Sequence, residues 1–481
     1  MSYLKNYFAK VLEGERTFSA ISFMAALDAM PFEVARNIEK ELKDQRSHLK
    51  LIASENFSSL AVQQAMGNLF TDKYSEGSVR HRFYAGCDNV DAIEEMAIEY
   101  AKKIFSAEHA YVQPHSGADA NLVAFFAILI HRIQNKEIEK LKKKNQDELT
   151  KEEYETIRRL LVNQKVMGLS LHSGGHLTHG YRHNVSAKIF QAVTYDVDPK
   201  THLIDYVALQ KRVKEEKPFI LLAGYSAYQR LIDFSKMREI ADSVGATLMV
   251  DMAHFSGLVA GKVFQGNYNP IPFAEVITTT THKTLRGPRG GMVLCTKEFQ
   301  EVVDKGCPMV LGGPLPHVMA AKAVAFREAN DSAFAVYAAQ IVKNAKALAE
   351  NLMKLKVPVQ TGGTDNHIVV FDVLKSFQLN GRQAEAALRE AKITCNRNSL
   401  PFDPNGPWYT SGIRMGTPAL TTLGMKEGEM KIIAEVIADL LKHTQPDKKA
   451  SVHIDQRVLK RARRRLEELL QDFPLYPELV L

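Results

Sequence analysis

The chain of 481 residues is predicted to fold as an α/β protein, with a large, mostly parallel sheet and a smaller C-terminal α/β domain. Three observations predict this. From Val166 onward, strand-like runs alternate with helical patterns, which implies βαβ units. The length suits two or three domains, or one large α/β domain with a smaller one. Near the C-terminus, strand candidates Ile368–Val373 and Ile393–Asn398 flank a helical pattern over Gly381–Ala391.

Composition narrows the class. The chain is 45% hydrophobic, 24% charged and 8% aromatic, ordinary for a globular enzyme. Lys and Arg number 62 against 55 Asp and Glu, a net charge of +7. That is mild for this size and does not by itself indicate nucleic acid. The cysteines Cys87, Cys295, Cys307 and Cys395 form no C-x-x-C pair. This suits a reducing cytoplasm and argues against cysteine-bound zinc. No apolar run reaches the ~18 residues of a membrane span.

The elements follow in order. Met1–Leu49 reads as helical, and Phe32–Leu49 carries Val34, Ile38, Leu42 and Leu49 as the apolar positions of either an arm packed on something else or an ordinary surface helix. Leu51–Tyr84 is a polar loop region that gathers Tyr74, Glu76, Arg80, Arg82 and Tyr84. Asp91–Phe105 is an amphipathic helix, with Asp91 and Glu94 as an N-capping pair. Ser116-Gly117 opens an apolar helix over Leu122–Ile130. Its free N–H groups make a seat for a phosphate, and Ser116 as a plain N-cap is the simpler alternative. His131–Gln164 is a charged helical hairpin with a capping box from Thr150 to Glu153, expected to be a solvated insertion.

Strand candidates then run Val166–Leu171, Ile189–Tyr195, Phe219–Ala223, Thr247–Val250, Val276–Thr281 and Met292–Cys295. Helices at Tyr206–Lys214 and Lys236–Val244 fall between them. Pro314–Arg327 starts a long helical region leading to the second domain. The expected domains are a helical arm over 1–70, a large domain over 71–325 with the insertion 131–164, and a small domain over 326–481. Val458–Leu470 carries Lys460, Arg461, Arg463, Arg464 and Arg465. Its stripe of Leu459, Ala462, Leu466 and Leu469, with Arg463/Glu467 and Arg464/Glu468 pairs, favours a docked helix over a nucleic-acid reader.

Two strand ends carry chemistry. Lys283 follows the strand Val276–Thr281 and enters a turn of Gly287, Pro288, Gly290 and Gly291. It is either a solvated cation or a desolvated amine whose ammonium form is disfavoured by burial and by Arg286 and Arg289. Such an amine forms Schiff bases. Asp251 ends the strand before it, either as a helix cap or as the partner of a pyridine nitrogen. His172, His176, His179 and His183 have metal-like spacing. Gly174, Gly175 and Gly180 break any helix there and no carboxylate falls among them, so no metal is expected.

The run Thr278–Gly291, TTTTHKTLRGPRGG, resembles the cofactor-lysine signature of the serine hydroxymethyltransferase family. LIASEN (Leu51–Asn56), KYSEG (Lys73–Gly77), QPHSG (Gln113–Gly117), GGHLTHG (Gly174–Gly180), VDMAH (Val250–His254), GGTDNH (Gly362–His367) and SGIRMGTP (Ser411–Pro418) are similar to family motifs in family order. The resemblance implies a pyridoxal phosphate-dependent transferase of fold type I, like aspartate aminotransferase, with a mostly parallel seven-stranded sheet. It implies a reversible reaction of L-serine and tetrahydrofolate to glycine and 5,10-methylenetetrahydrofolate, with aldolase or alanine racemase side activity.

Residue by residue, the resemblance implies that Lys283 holds pyridoxal 5'-phosphate and Asp251 keeps its ring protonated. His176 stacks on the ring, and Ser226 and His254 contact the phenolic oxygen side. Ser116, Gly117 and His282 hold the phosphate, with Thr280 also against the cofactor. Tyr74, Gly312 and Gly313 reach the cofactor of a neighbouring subunit, which makes a homodimer. Arg414, assisted by Ser54, grips the serine carboxylate. Glu76 handles the proton of the serine hydroxyl and of the folate, and Tyr84 lies near the substrate. Leu171, Gly175, Leu177 and Asn398 line the folate pocket with Glu76.

The sequence departs from the family pattern at Ala118, where a serine is usual, and a hydroxyl worth roughly 1–2 kcal/mol is lost. It departs again in Ser78–Tyr84, where a Tyr-Pro-Gly turn is missing, and in the shortened Leu311–Pro314. A threonine aldolase or another fold-type-I enzyme is the rival reading, and dependence on tetrahydrofolate separates the two.

Overall fold

The computed structural model describes residues 18–479. The helix expected over residues 1–17 lies outside them. The chain forms two compact units. One comprises the described residues up to Asn68 with Gln340–Ser399 and those from Asp403 onward, and the other is Leu69–Ala339 with Leu400–Phe402.

The larger unit is built on a seven-stranded sheet. Its strands are β1 (His109–Tyr111), β2 (Lys165–Leu169), β3 (Gln191–Tyr195), β4 (Ile220–Gly224), β5 (Thr247–Asp251), β6 (Val276–Thr280) and β7 (Gly291–Cys295). They lie in the order β1-β7-β6-β5-β4-β2-β3. The pairs from β6 to β3 are parallel. β7 is antiparallel to both β6 and β1, so β1 runs with the parallel set. All residues of β4 to β7 are buried, as expected of strands covered on both faces. The parallel fold expected from the alternation is therefore present. The three-residue β1 lacked enough pattern to be foreseen.

Helix α1 (Asp88–Phe105) starts three residues earlier than expected, and the capping role read for Asp91 and Glu94 is wrong. The N-cap is Cys87, without a side-chain cap. Asp91 and Glu94 instead accept from Arg82, at 2.8 and 2.5 Å. Helix α2 (Gly117–Leu129) starts at its N-cap Ser116, whose hydroxyl accepts from the Asp119 N–H at 3.2 Å. Its buried Val123, Phe125 and Ile128 pack in a core with Ile220, Met249 and Val293 of the sheet. The chain continues through a π turn, Ile130–Gln134, into the charged segment. There Arg132 donates to Thr247 Oγ1 at 2.7 Å and to the Gly245 carbonyl at 2.9 Å. The Thr150–Glu153 capping box is present. The segment is not wholly solvated, since Ile138 and Ile157 are buried. Helix α3 (Pro316–Ala329) follows the sheet.

The smaller unit holds an antiparallel sheet of β8 (Ile368–Asp372), β9 (Asn396–Asn398) and β10 (Gly412–Gly416), ordered β8-β10-β9. Its core joins Val369, Phe371 and Ile413 to Leu459, Ala462, Leu466 and Leu469 of the helix Gln456–Gln471. The basic side of that helix meets acids. Arg461 pairs with Asp439 at 2.5 Å and Arg465 with Glu435 at 2.8 Å. Arg463 does not pair with Glu467 as expected, but donates to the Glu390 carbonyl at 2.9 Å. Helix Phe32–Ser47 buries Leu42 and leaves Val34 exposed. Its Arg46 donates to the carbonyls of Leu475 and Leu479 at 2.8 and 2.7 Å. No described helix is long and apolar enough to cross a membrane. The four cysteines are buried and unbridged.

Candidate active site

The carboxyl ends of parallel strands form one rim of the large sheet, and ligand sites of α/β proteins gather at such rims. In register across it stand Gly224, Asp251 and Thr278. The turn Thr281–Gly290 follows β6 at the same rim and carries Lys283. Its glycines are there for closeness rather than for unusual dihedrals. A Cβ on Gly291 would lie 2.1 Å from the Ser116 carbonyl oxygen, and one on Gly290 2.6 Å from Lys322 Cε. The residue with left-handed backbone is Arg286, at φ 61°.

Lys283 is half-buried and donates from Nζ to Thr280 Oγ1 at 3.0 Å. The buried Thr280 donates in turn to the Ala253 carbonyl at 3.2 Å. The Ala253 N–H donates to Asp251 Oδ1 at 3.0 Å. The amine and the carboxylate thus stand at two ends of one short relay. The cations expected beside the amine are directed elsewhere: Arg286 lies over the Tyr337 ring at 4.6 Å and Arg289 is exposed.

Asp251 is buried and multiply bonded. Asn121 Nδ2 donates to its Oδ2 at 2.9 Å, and His179 Nε2 lies 3.1 Å from the same oxygen. His179 Nδ1 accepts from the His176 backbone N–H at 3.4 Å, so the proton sits on Nε2 and is donated to Asp251. Burial alone would raise the Asp251 pKa, but the hydrogen bond and electrostatic pull of the His179 imidazole, with His176 and the Asn121 hydrogen bond, outweigh it. The carboxyl is held well below the usual carboxylate range. Asn121 also donates to Thr178 Oγ1 at 2.7 Å and accepts from Thr278 Oγ1 at 2.5 Å. His176 Nδ1 lies 2.8 Å from Thr178 Oγ1. Among the described residues His176, His179 and Asp251 have metal-like proximity, yet these hydrogen bonds already use the facing atoms.

The glycines after β2 bring in the rest of the rim. A Cβ on Gly175 would meet the Leu169 carbonyl oxygen at 1.9 Å, and one on Gly174 would meet Ala227 at 2.8 Å. Ser226 Oγ donates to the Gly175 carbonyl at 2.9 Å, which ties Ser226 to the turn that ends in His176. Leu171 is half-buried and Leu177 is exposed. His254 is buried, and its carbonyl accepts from Thr284 Oγ1 at 2.8 Å.

Ser116 and Gly117 stand at the N-terminus of α2, where free N–H groups and the helix dipole favour an anion. A Cβ on Gly117 would strike Thr280 Cγ2 at 2.6 Å, so this turn touches the Lys283 strand. His282 Nδ1 and His115 Nε2 are buried without a hydrogen-bond partner. Burial, then the charges of Lys283 and Arg289, push the His282 pKa down to about 3.

A second group lies on the Ser75–Tyr84 hairpin. Tyr84 donates to Glu76 Oε2 at 3.3 Å, and the Tyr74 and Tyr84 rings stand 4.9 Å apart. Tyr74 is 58% exposed and packs beside Gly313, while Gly312 is exposed. The hairpin is held from beneath by Arg82, whose side chain is 3% exposed. Besides Asp91 and Glu94, Arg82 reaches the Ser75 and Gly77 carbonyls at 3.0 and 2.8 Å. Gln113 donates to Glu94 and to the Gly77 carbonyl, each at 2.8 Å.

In the smaller unit Arg414, on β10, donates from Nε to Asn396 Oδ1 at 3.0 Å. Burial lowers its pKa to about 10, so it stays a cation at neutral pH. The Gly416 N–H donates to the Leu51 carbonyl at 2.8 Å, and a Cβ on Gly416 would meet Ala53. The half-buried Ser54 thus follows a segment pinned to the Arg414 strand. Asn398 Nδ2 donates to the Ser399 carbonyl at 2.6 Å.

Sequence reasoning missed Asn121, Thr178, Gln113 and Lys322 as members of these networks, and placed Arg82 in the loop without its buried partners. Lys322, on α3, is 1% exposed, and burial lowers its pKa to about 7. The one available signal was a lone lysine in an Ala- and Val-rich helix.

The residues present fit the cofactor implied by the resemblance. An ionised carboxylate is held for a protonated ring nitrogen, and an N-terminal helix turn with an orphaned His282 nitrogen suits a phosphate.

Comparison with known proteins agrees. The serine hydroxymethyltransferase family pattern matches residues 27–140 and 150–437. A serine hydroxymethyltransferase of Treponema pallidum (strain Nichols) is 55% identical over 469 residues, covering 95% of this chain and 82% of the relative. One from Mycolicibacterium smegmatis is 55% identical over 468 residues, covering 96% and 95%. One from Chlamydia muridarum is 49% identical over 490 residues, covering 100% and 98%.

Proposed function

The chain belongs to the serine hydroxymethyltransferase family, and from that premise we propose which of its residues carry the reaction. It is a transferase that interconverts serine and glycine, with folate as the one-carbon partner. The family depends on pyridoxal phosphate. When bound, that cofactor supplies an electron sink for the Cα–Cβ bond that breaks in serine.

Lys283 is the amine that binds the cofactor aldehyde, and Thr280 aims it. Asp251 keeps the ring nitrogen protonated, and the His179 and Asn121 bonds keep Asp251 ionised for that task. His176 covers the ring face, with Ser226 and His254 on the phenolic oxygen side. Ser116, Gly117 and a neutral His282 hold the phosphate, the first two through backbone N–H groups. Arg414 and Ser54 would grip the serine carboxylate and so fix the orientation in which the substrate is held. Glu76 takes the hydroxyl proton as the Cα–Cβ bond breaks, and Tyr84 steadies Glu76. Leu171, Gly175, Leu177 and Asn398 line the folate pocket with Glu76.

The chain acts as a cytoplasmic homodimer, in which Tyr74, Gly312 and Gly313 reach the cofactor of the partner subunit. The exposure of Tyr74 and of Phe83, at 58% and 68%, supports this reading.

The observation that carries the assignment is the buried, ionised Asp251 joined by one relay to Lys283. The purified protein should be yellow, with an absorption band that borohydride removes and that Lys283→Ala lacks. Serine cleavage should rise with added tetrahydrofolate. Cleavage indifferent to tetrahydrofolate would transfer the assignment to an aldolase.

A further inference from the structure

We propose that Lys322 is a positioning residue that braces the anion-binding turn Ser116–Gly117 against the turn that carries Lys283. The inference rests on the cofactor reading above.

Three backbone carbonyls face the amine, and only its ammonium form has the three N–H donors to meet them, which holds the proton that burial alone would release. Lys322 Nζ lies 2.5 Å from the Val112 oxygen, 3.0 Å from that of Pro114 and 2.8 Å from that of Gly291. The side chain is 1% exposed and forms no salt bridge with a described carboxylate. An unpaired buried cation is costly, so apolar side chains normally fill such a place. Packing alone would be served by a methionine among the neighbouring Ala321, Ala323 and Phe326.

The three carbonyls explain the lysine. Val112 and Pro114 belong to the segment that leaves β1 and turns into Ser116. Gly291 is where the Lys283 turn rejoins the sheet as β7. The two segments also touch directly. The Gly291 N–H donates to the Pro114 carbonyl at 2.9 Å, and a Cβ on Gly291 would clash with Ser116. One further bond, from the Thr281 N–H to the Gly290 carbonyl at 3.1 Å, closes the Lys283 turn beside the ammonium. Lys322 therefore fixes where the α2 N–H groups point relative to Lys283. Its hydrogen bonds go to the Val112, Pro114 and Gly291 carbonyls and not to Ser116 or Gly117 themselves, so it acts through the segments it ties together.

The test compares two aldehydes on the cofactor-free protein: pyridoxal phosphate and pyridoxal, which lacks the phosphate. Their affinities are read by absorbance titration for the native protein, for Lys322→Met and for Gly290→Ala. The second variant keeps the lysine and pushes its Cε away, so it covers the case in which the first does not fold. We expect Kd for pyridoxal phosphate to rise at least ~10-fold in each folded variant, as for loss of a charged hydrogen bond, with pyridoxal changed less than ~3-fold. Equal weakening of both aldehydes, or a lower melting temperature with both affinities intact, overturns the proposal. Failure of the native protein to bind pyridoxal phosphate would instead overturn the reading on which it rests.

Discussion

Lys283 Nζ donates to Thr280 Oγ1 at 3.0 Å, and Thr280 donates on to the carbonyl of Ala253, two residues beyond Asp251. The strand that presents the amine also supplies the hydroxyl that aims it. Thr280→Val keeps the shape and removes the oxygen. An unmade bond of this kind costs about 1–2 kcal/mol, so kcat/KM for serine cleavage should drop roughly 10-fold. An unchanged kcat/KM would show that Lys283 is aimed by something else.

Asp251→Asn should be far more damaging. It preserves volume but leaves the Asn121 amide and the His179 N–H facing a neutral amide. It also removes the charge held for the ring nitrogen. Losing a charged, buried hydrogen-bond partner suggests a fall of about 100-fold or more in kcat. The measurement is steady-state serine cleavage at saturating cofactor. A fall under tenfold would argue that another group keeps the ring protonated.

Arg414→Lys tests the carboxylate grip. A lysine keeps the charge but cannot make two parallel hydrogen bonds. KM for serine should rise about 10- to 100-fold, with binding of the cofactor aldehyde unaffected. A change in cofactor affinity with KM intact would place Arg414 elsewhere in the chemistry.

Acid should destabilise the cofactor-free protein through two groups with the same sign. His282 has a folded pKa of about 3, below its unfolded value near 6.5. The unfolded chain therefore binds the extra proton first, and stability falls as pH drops from about 6.5 towards 3. Asp251 is also depressed, so its contribution is present above an unfolded pKa near 3.9 and is lost below it. Thermal melts from pH 7 to 4 should show a decline that His282→Gln flattens. If the substituted protein declines just as steeply, the neutral His282 is not the cause.

Arg82→Leu should leave Glu94 buried without its cation. Breaking a buried pair in this way costs about 3–5 kcal/mol. A denaturant titration should show the loss. A native-like midpoint would mean that Gln113 alone satisfies the carboxylate.

Strand periodicity made the large sheet legible to within about two residues at most ends. The positions of Lys283 and Asp251 on one rim were legible because one follows and the other ends an apolar strand, and the register aligns the two strands. Other parts were hidden for physical reasons. Asp91 and Glu94 have helix-start spacing, yet their true partner Arg82 comes from a hairpin that local sequence does not reveal. Likewise Asn121 sits in an apolar helix like any tolerated polar residue. Only the fold shows it bonded to both Asp251 and Thr278. Arg463 took Glu390 over its helical neighbour because docking of the helix brought a better acceptor.

Helix α2 starts at the carboxyl-end rim of the sheet, beside Ser116, and delivers the chain to Arg132, which grasps Gly245 and Thr247 at the amino end of β5. The charged hairpin grows from that far edge and re-enters at Lys165, the first residue of β2. A strand of five residues, roughly 16 Å, separates the two edges. Extra length in the exposed turn between the buried anchors Ile138 and Ile157 therefore enlarges the surface while the spacing of the residues on the opposite rim is left alone. A peptide epitope spliced into the exposed turn near Lys144 should go unnoticed by catalysis.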